Sequence, residues 1–170
     1  HRQGPQLVLS LAWYASFAMR PELFTWAAAL LDVDGMEGHP AFTDLCGVAA
    51  LGEYLAVSGR VTERAEAGLA ANPADPVGFC RLSLAAVFLN SNFPREASEE
   101  LTSGWLASPP TTIGSRLWAE GMRTFHLFTY SRTEEAKIHA AATARIAEET
   151  GSLSAKALAS WTQGMVMVSV

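Results

Sequence analysis

Glu120, Arg123 and His126 stand three residues apart in a stretch that reads as one long helix. A carboxylate, a guanidinium and an imidazole at that spacing share a helix face and could form an acid–base cluster, which makes a small helical enzyme one reading of the chain. A wider set of polar and aromatic residues also falls on the long helices: Tyr14, Glu53, Tyr54, Arg81, Asn90, Arg116, Glu120 and Arg123, with Trp13 and Trp161 beside them. In stacks of helical hairpins the long helices commonly line the concave side. There Arg81, Arg116 and Arg123 with Glu53 and Glu120 would make a mixed-charge groove suited to a peptide or a polar ligand. The same residues also serve as ordinary surface or core of such a stack, because aromatics at helical spacing are core more often than ligand boxes. His126, beside Phe125, reads equally well as a satisfied helix histidine.

Other chemistry is not written in the chain. There is no Gly-x-x-x-x-Gly-Lys-Ser/Thr loop for a nucleotide phosphate and no Gly-x-Gly-x-x-Gly after a strand. His-x-x-x-His and Cys-x-x-Cys spacings are missing, and His1, His39, His126 and His139 fall in different parts of the pattern, so no metal site is indicated. Without Gly-x-Ser-x-Gly, Ser58-Gly59 and Gly114-Ser115 read as turns and caps. No cofactor is expected in this segment. Glu63, Glu66, Glu99, Glu100, Glu134, Glu135, Glu148 and Glu149 gather on the short helices. They read as a solvated face with local pairing, such as Glu63 or Glu66 with Arg64, worth about a few tenths of a kcal/mol per pair.

Charged residues make up 17% of the 170 positions and apolar ones 49%, a low charge density that leaves apolar surface for a partner. A formal charge of −5, with Lys137 and Lys156 far apart, argues against a phosphate-binding surface and hence against direct contact with nucleic acid. Cys46 and Cys80 are 34 residues apart, on successive helical units too distant for a disulfide, and read as small core residues of a cytoplasmic protein. Residues 7–19 form an apolar run too short to span a bilayer, with no basic stretch before it, so a buried first helix is expected and no membrane contact. The lack of an initiator Met and the ending in mid-helix point to a piece of a larger protein.

The positioning elements follow from 3.6-residue periodicity and from breakers. Helices are expected from about Gln6 to Met19, stopping before Pro21, and from Glu22 to Leu31 before Asp32-Val-Asp-Gly35. Gly38-His39-Pro40 opens a helix to about Val57, and Thr62 to Ala71 is its partner. Asp75 reads as an N-cap with Pro76 at the first helical position. Pro94 starts a short helix to about Leu106. Thr111 or Thr112 caps the next, which carries Leu117, Trp118, Met122 and Phe125. Thr133 to Thr150 follows, stopped by Gly151, and Leu153 to Val170 is last. Long and short helices thus alternate in hairpins recurring roughly every 35 to 43 residues, which is the signature of a helical-repeat stack. Trp118-Ala-Glu-Gly121-Met122 is matched 43 positions later by Trp161-Thr-Gln-Gly164-Met165. The repeated glycine is expected to let a neighbouring helix approach closely at both places.

The turns Gly59-Arg60-Val61-Thr62-Glu63-Arg64-Ala65 and Glu148-Glu149-Thr150-Gly151-Ser152-Leu153-Ser154, together with Gly38-His39-Pro40 and Trp161-Thr-Gln-Gly164, resemble the tetratricopeptide-like regions of large bacterial signal-transduction ATPases. That group includes LuxR-type transcriptional regulators and relatives with adenylate-cyclase domains. The resemblance implies one all-α domain over residues 1–170, a right-handed α-solenoid of about four and a half antiparallel hairpins. It also implies a sensor or scaffold segment with no catalytic residue, whose ATP is bound elsewhere in the parent protein. The partner would be a protein, a peptide or a small effector in the concave groove. An oligomerisation scaffold, a homodimer formed through the solenoid ends, is the second reading.

Overall fold

The computed structural model describes residues 3–18, 20–56, 59–90, 95–107 and 112–168. Among them the regular structure is all helical: α1 (Gln3–Ala18), α2 (Pro21–Leu31), a single 3-10 turn (Met36–Gly38), α3 (Phe42–Leu55), α4 (Val61–Ala71), α5 (Phe79–Asn90), α6 (Arg95–Ala107), α7 (Ile113–Thr129), α8 (Thr133–Thr150) and α9 (Leu153–Met167). None of these helices is long and apolar enough to cross a membrane. The chain forms two compact units, residues 1–87 and 88–170.

The first unit is organised by α3. Its run Cys46-Gly-Val-Ala-Ala-Leu51 is apolar all round, and such a helix can only be satisfied at the centre of its neighbours. Two glycines on α3 and one on α4 decide how close those neighbours come. A Cβ on Gly52 would lie 2.3 Å from Phe24 Cβ of α2, and one on Gly47 would lie 2.5 Å from Phe79 Cβ of α5. On α4, a Cβ at Gly68 would meet Cys80 Sγ at 2.6 Å and Cys46 Cβ at 2.9 Å. Helix backbones therefore sit at distances that only a missing side chain permits. Cys46 and Cys80 are buried free thiols, and Cys80 Sγ donates to the Thr43 carbonyl at 3.3 Å.

The second unit is organised by α7, whose inward residues include Leu117, Ala119, Met122 and Leu127. Against it α6 brings Ser98, Thr102 and the 1%-exposed Trp105. Alanines 136, 140 and 147 with Ile146 of α8 and Ala155, Leu158 and Ala159 of α9 complete the packing. The short turn Tyr130–Arg132 folds α8 back along α7, and α9 packs on both.

Most boundaries follow the local signals. Thr112 caps α7 by accepting the Ser115 N–H at 3.1 Å, and Gly151 ends α8 in the left-handed region at φ 63°. Two N-termini depart from the sequence reading. α5 begins at Phe79 rather than Pro76, because Asp75 takes φ 44° and the chain turns twice, through Asp75 N–H to Asn72 O and Gly78 N–H to Asp75 O. Asp75 still caps: its Oδ2 accepts the Arg81 N–H at 3.0 Å from outside the helix. α1 also begins earlier, at Gln3, since Pro5 is tolerated in a first helical turn. The expected equivalence of Gly121 and Gly164 is corrected too. Gly121 is buried, with Leu158 3.4 Å from where its Cβ would be, whereas Gly164 has nothing within 4 Å.

Candidate functional site

The densest polar arrangement is in the second unit, around Glu99. On α6 the stripe Ser98, Thr102 and Trp105 recurs at i, i+4 and i+7 and turns inward, which carries Glu99 to the edge of the interior. Glu99 Oε1 accepts from Arg123 Nη2 of α7 and from Arg132 Nη1 at the N-cap of α8, each at 2.8 Å. Its Oε2 also accepts from Arg132 Nη1 at 2.8 Å and lies 3.2 Å from His126 Nε2. Arg123 makes a further bond to Thr102 Oγ1 at 3.0 Å, and Arg132 reaches Glu135. One carboxylate thus joins three helices.

The electrostatics follow from those contacts. The Arg123 guanidinium, helped by Arg132 and His126, holds the Glu99 carboxyl down at about 2. Burial lowers the His126 value despite the opposing pull of Glu99, so the imidazole is neutral at pH 7. A neutral ring then donates from Nε2 to Glu99 and accepts from the Ser98 hydroxyl at Nδ1, 2.8 Å away.

The order hydroxyl, imidazole, carboxylate is that of an activated nucleophile. Here, however, Ser98 and His126 are both 0% exposed and Arg123 only 8%, so the hydroxyl is enclosed by its own partners. The arrangement joins helices instead of presenting a reacting atom. Sequence reasoning placed Glu99 among solvated carboxylates and missed this hub. The signal available was the small-polar stripe Ser98–Thr102 ending on Trp105, which marks an inward face next to Glu99.

The three-residue set Glu120, Arg123 and His126 does not converge. Each step of three falls short of a full turn by about 60°, so its two ends diverge by about 120° around the helix. Glu120 Oε2 instead pairs with His139 Nδ1 of α8 at 2.7 Å, while Arg123 and His126 turn to Glu99. This corrects the acid–base cluster, and it places Arg123 in the interior and not on an open groove. Arg81 is also spent locally, its guanidinium donating to the carbonyls of Ala74 at 2.8 Å and Pro73 at 2.5 Å. Tyr14 and Arg116 are exposed, Tyr54 is half-buried, and the side chain of Asn90 lies outside the described residues.

Glu53 has a different setting. Its carboxylate accepts from Arg64 Nε at 3.1 Å, with both side chains largely buried, and it borders a cleft of about 410 Å³ between α2 and α3. The rest of the wall is mostly apolar, with Phe24, Ala28, Ala49, Gly52 and Leu55, and carries the Thr25 hydroxyl, which donates to the Glu22 carbonyl. The expected pairing of Arg64 with Glu63 or Glu66 is replaced: Glu63 bonds Arg60 and Arg64 crosses to α3.

Two further carboxylates of the first unit turn inward, Asp75 buried and Asp44 half-buried. Asp44 Oδ1 and Asp75 Oδ1 have no hydrogen-bond partner; burial, with Asp75 adding to it, pushes the Asp44 carboxyl up to about 6. Burial likewise pushes the Cys46 thiol up to about 11 and raises Cys80. Among the described residues no three His, Cys, Asp or Glu side chains are grouped to hold a metal ion. No family model, curated protein or solved structure matches the chain.

Proposed function

We propose that this chain is a binding segment: a tetratricopeptide-like, right-handed α-solenoid of antiparallel hairpins within a bacterial cytoplasmic transcriptional regulator or signalling ATPase, which takes up a small effector or a protein side chain. The observation that carries it is the α2–α3 cleft. Its volume of about 410 Å³ is that of a small-ligand site, and a mostly apolar wall with two polar side chains, Thr25 and the carboxylate Glu53, is the usual composition of one. The occupant would be an apolar group bearing one hydrogen-bond donor. No residue is given a catalytic role, since the polar groups that could do chemistry are engaged with one another around Glu99.

Ala28 is half-buried on the cleft wall, so Ala28→Phe would occupy the space without displacing core. Titration with the apolar dye Nile red is expected to show saturable binding that weakens at least about tenfold in Ala28→Phe at unchanged helical content. Equal binding by the two proteins, or none by either, would remove the cleft as the site.

A further inference from the structure

The α2–α3 cleft has a charge as well as a size. Both of its walls are backed within this chain, α1 packing on α2 and α4 on α3. Of the side chains that line it, only those of Thr25 and Glu53 hold polar atoms. The Thr25 proton is already given to the Glu22 carbonyl at 2.7 Å, which leaves the hydroxyl oxygen as an acceptor. The Glu53 carboxylate can only accept. Arg64 Nε takes its Oε1 at 3.1 Å, and among the described residues no hydrogen bond is made to Oε2. Backbone N–H groups inside a helix are spent on the carbonyls of that helix. The lining residues therefore offer acceptors and no free side-chain donor.

The surroundings give this acceptor patch a sign. α3 finishes at Leu55, so the negative end of its dipole falls beside Glu53, Leu55 and Ala56 on the cleft wall. The start of α2, which reaches the same cleft at Pro21, does little to cancel it: the proline has no N–H to give, and Glu22 sits in the first turn. Residues 1–87 carry nine Asp or Glu against five Arg and no Lys, and so hold most of the formal charge of −5. Arg64 does not reverse the sign, because it binds Glu53 from α4 through one oxygen and does not line the cleft. A carboxylate 19% exposed in such a place draws cations in and repels anions.

We infer that the cleft takes a small organic ammonium ion, an apolar body whose protonated amine donates to Glu53 Oε2 and to the Thr25 hydroxyl oxygen. The inference rests on the cleft reading above and deepens it by fixing the charge of the occupant's donor. The N–H groups of an ammonium match an acceptor-lined end, whereas a carboxylate or phosphate finds no donor there and meets Glu53. A lysine of a partner protein is the poorer source of the same head group. Its four-carbon stem buries less apolar area against Phe24 and Leu55 than a ring with its linker does.

Three probes with one apolar body separate the charge classes: 2-phenylethylammonium, 2-phenylethanol and 3-phenylpropanoate. Each is titrated at pH 7 into the 15N-labelled 170-residue chain, and the amide shifts of Ala49 and Gly52 report occupancy of the cleft. The ammonium is expected to bind at least about tenfold more tightly than the alcohol, and the carboxylate not to saturate. Nα-acetyl-lysine methylamide, standing for a protein side chain, should bind at least about tenfold more weakly than the aromatic ammonium. Glu53→Gln should bring the ammonium down to the level of the alcohol. Glu53→Gln with Arg64→Met, which leaves no buried charge unpaired, reads the same loss if the single variant is unstable, and the wild-type series needs neither. Equal binding of ammonium and alcohol by the wild-type protein, or tightest binding of the carboxylate, would keep the cleft as a site and overturn the ammonium reading. A lysine probe as tight as the aromatic ammonium would overturn the small-molecule source. No shift at Ala49 and Gly52 with any probe would remove the cleft itself, and this inference with it.

Discussion

Replacing Glu99 by Gln tests whether the hub holds α6, α7 and α8 together. The substitution keeps the size of the side chain and removes the charge, leaving Arg123, 9% exposed at its side chain, without an ionic partner. Stranding a buried cation in this way costs about 3 to 5 kcal/mol. Glu99 itself is 31% exposed, and Arg132 keeps Glu135, so a loss of about 2 to 4 kcal/mol is expected at pH 7. The pH dependence is fixed by the same contacts. The folded value of Glu99, about 2, lies below its ordinary value of 4.5, so its contribution is complete above that range and is lost as pH falls towards 2. Urea unfolding followed by far-ultraviolet circular dichroism at pH 7 and pH 3 measures both effects. The difference between the wild-type protein and Glu99→Gln should shrink at the lower pH. A double substitution with Arg123→Met should recover part of the loss, since no buried charge then remains unpaired. A loss under about 1 kcal/mol at pH 7, or one independent of pH, would mean that Glu99 does not hold the three helices together.

Asp44 has the opposite sign. Its folded value of about 6 exceeds the ordinary 3.8, so stability from this group is greatest at low pH and is lost as pH rises through 6; Asp44→Asn should gain about 1 to 2 kcal/mol at pH 8 and little at pH 4, and a loss at pH 8 in urea melts would contradict it. Gly52→Ala, whose new Cβ would sit 2.3 Å from Phe24 Cβ, should cost about 1 to 3 kcal/mol and narrow the cleft, measured by thermal unfolding and dye binding. Gly164→Ala should instead gain about 0.5 to 1 kcal/mol, because the position is an exposed helix interior with nothing within 4 Å; equal effects at the two glycines would show that backbone propensity, not packing, governs both.

The helices and their ends were legible in the sequence because the forces that set them are local. Thr112 and Gly151 supply a cap and a stop within three residues of the groups they satisfy, and the apolar stripe of α7 repeats with the period of the helix itself. The capping carboxylate of Asp75 could be read from composition, but its offset from Phe79 could not, since it depends on a φ of 44° that the rest of the turn imposes. What lay beyond local reach was which polar residues meet. Glu99, Arg123 and Arg132 come from three helices, with 24 residues between the first pair and 33 between the ends, and only the packing of α6, α7 and α8 selects that set over the neighbouring Glu100 or Glu96. The repeated Trp-x-x-Gly pattern was likewise visible as a repeat, yet its two copies differ in what covers them. Sequence determines the face a helix offers through its own periodicity; whether that face is buried depends on the neighbour that arrives, and that neighbour belongs to the tertiary structure.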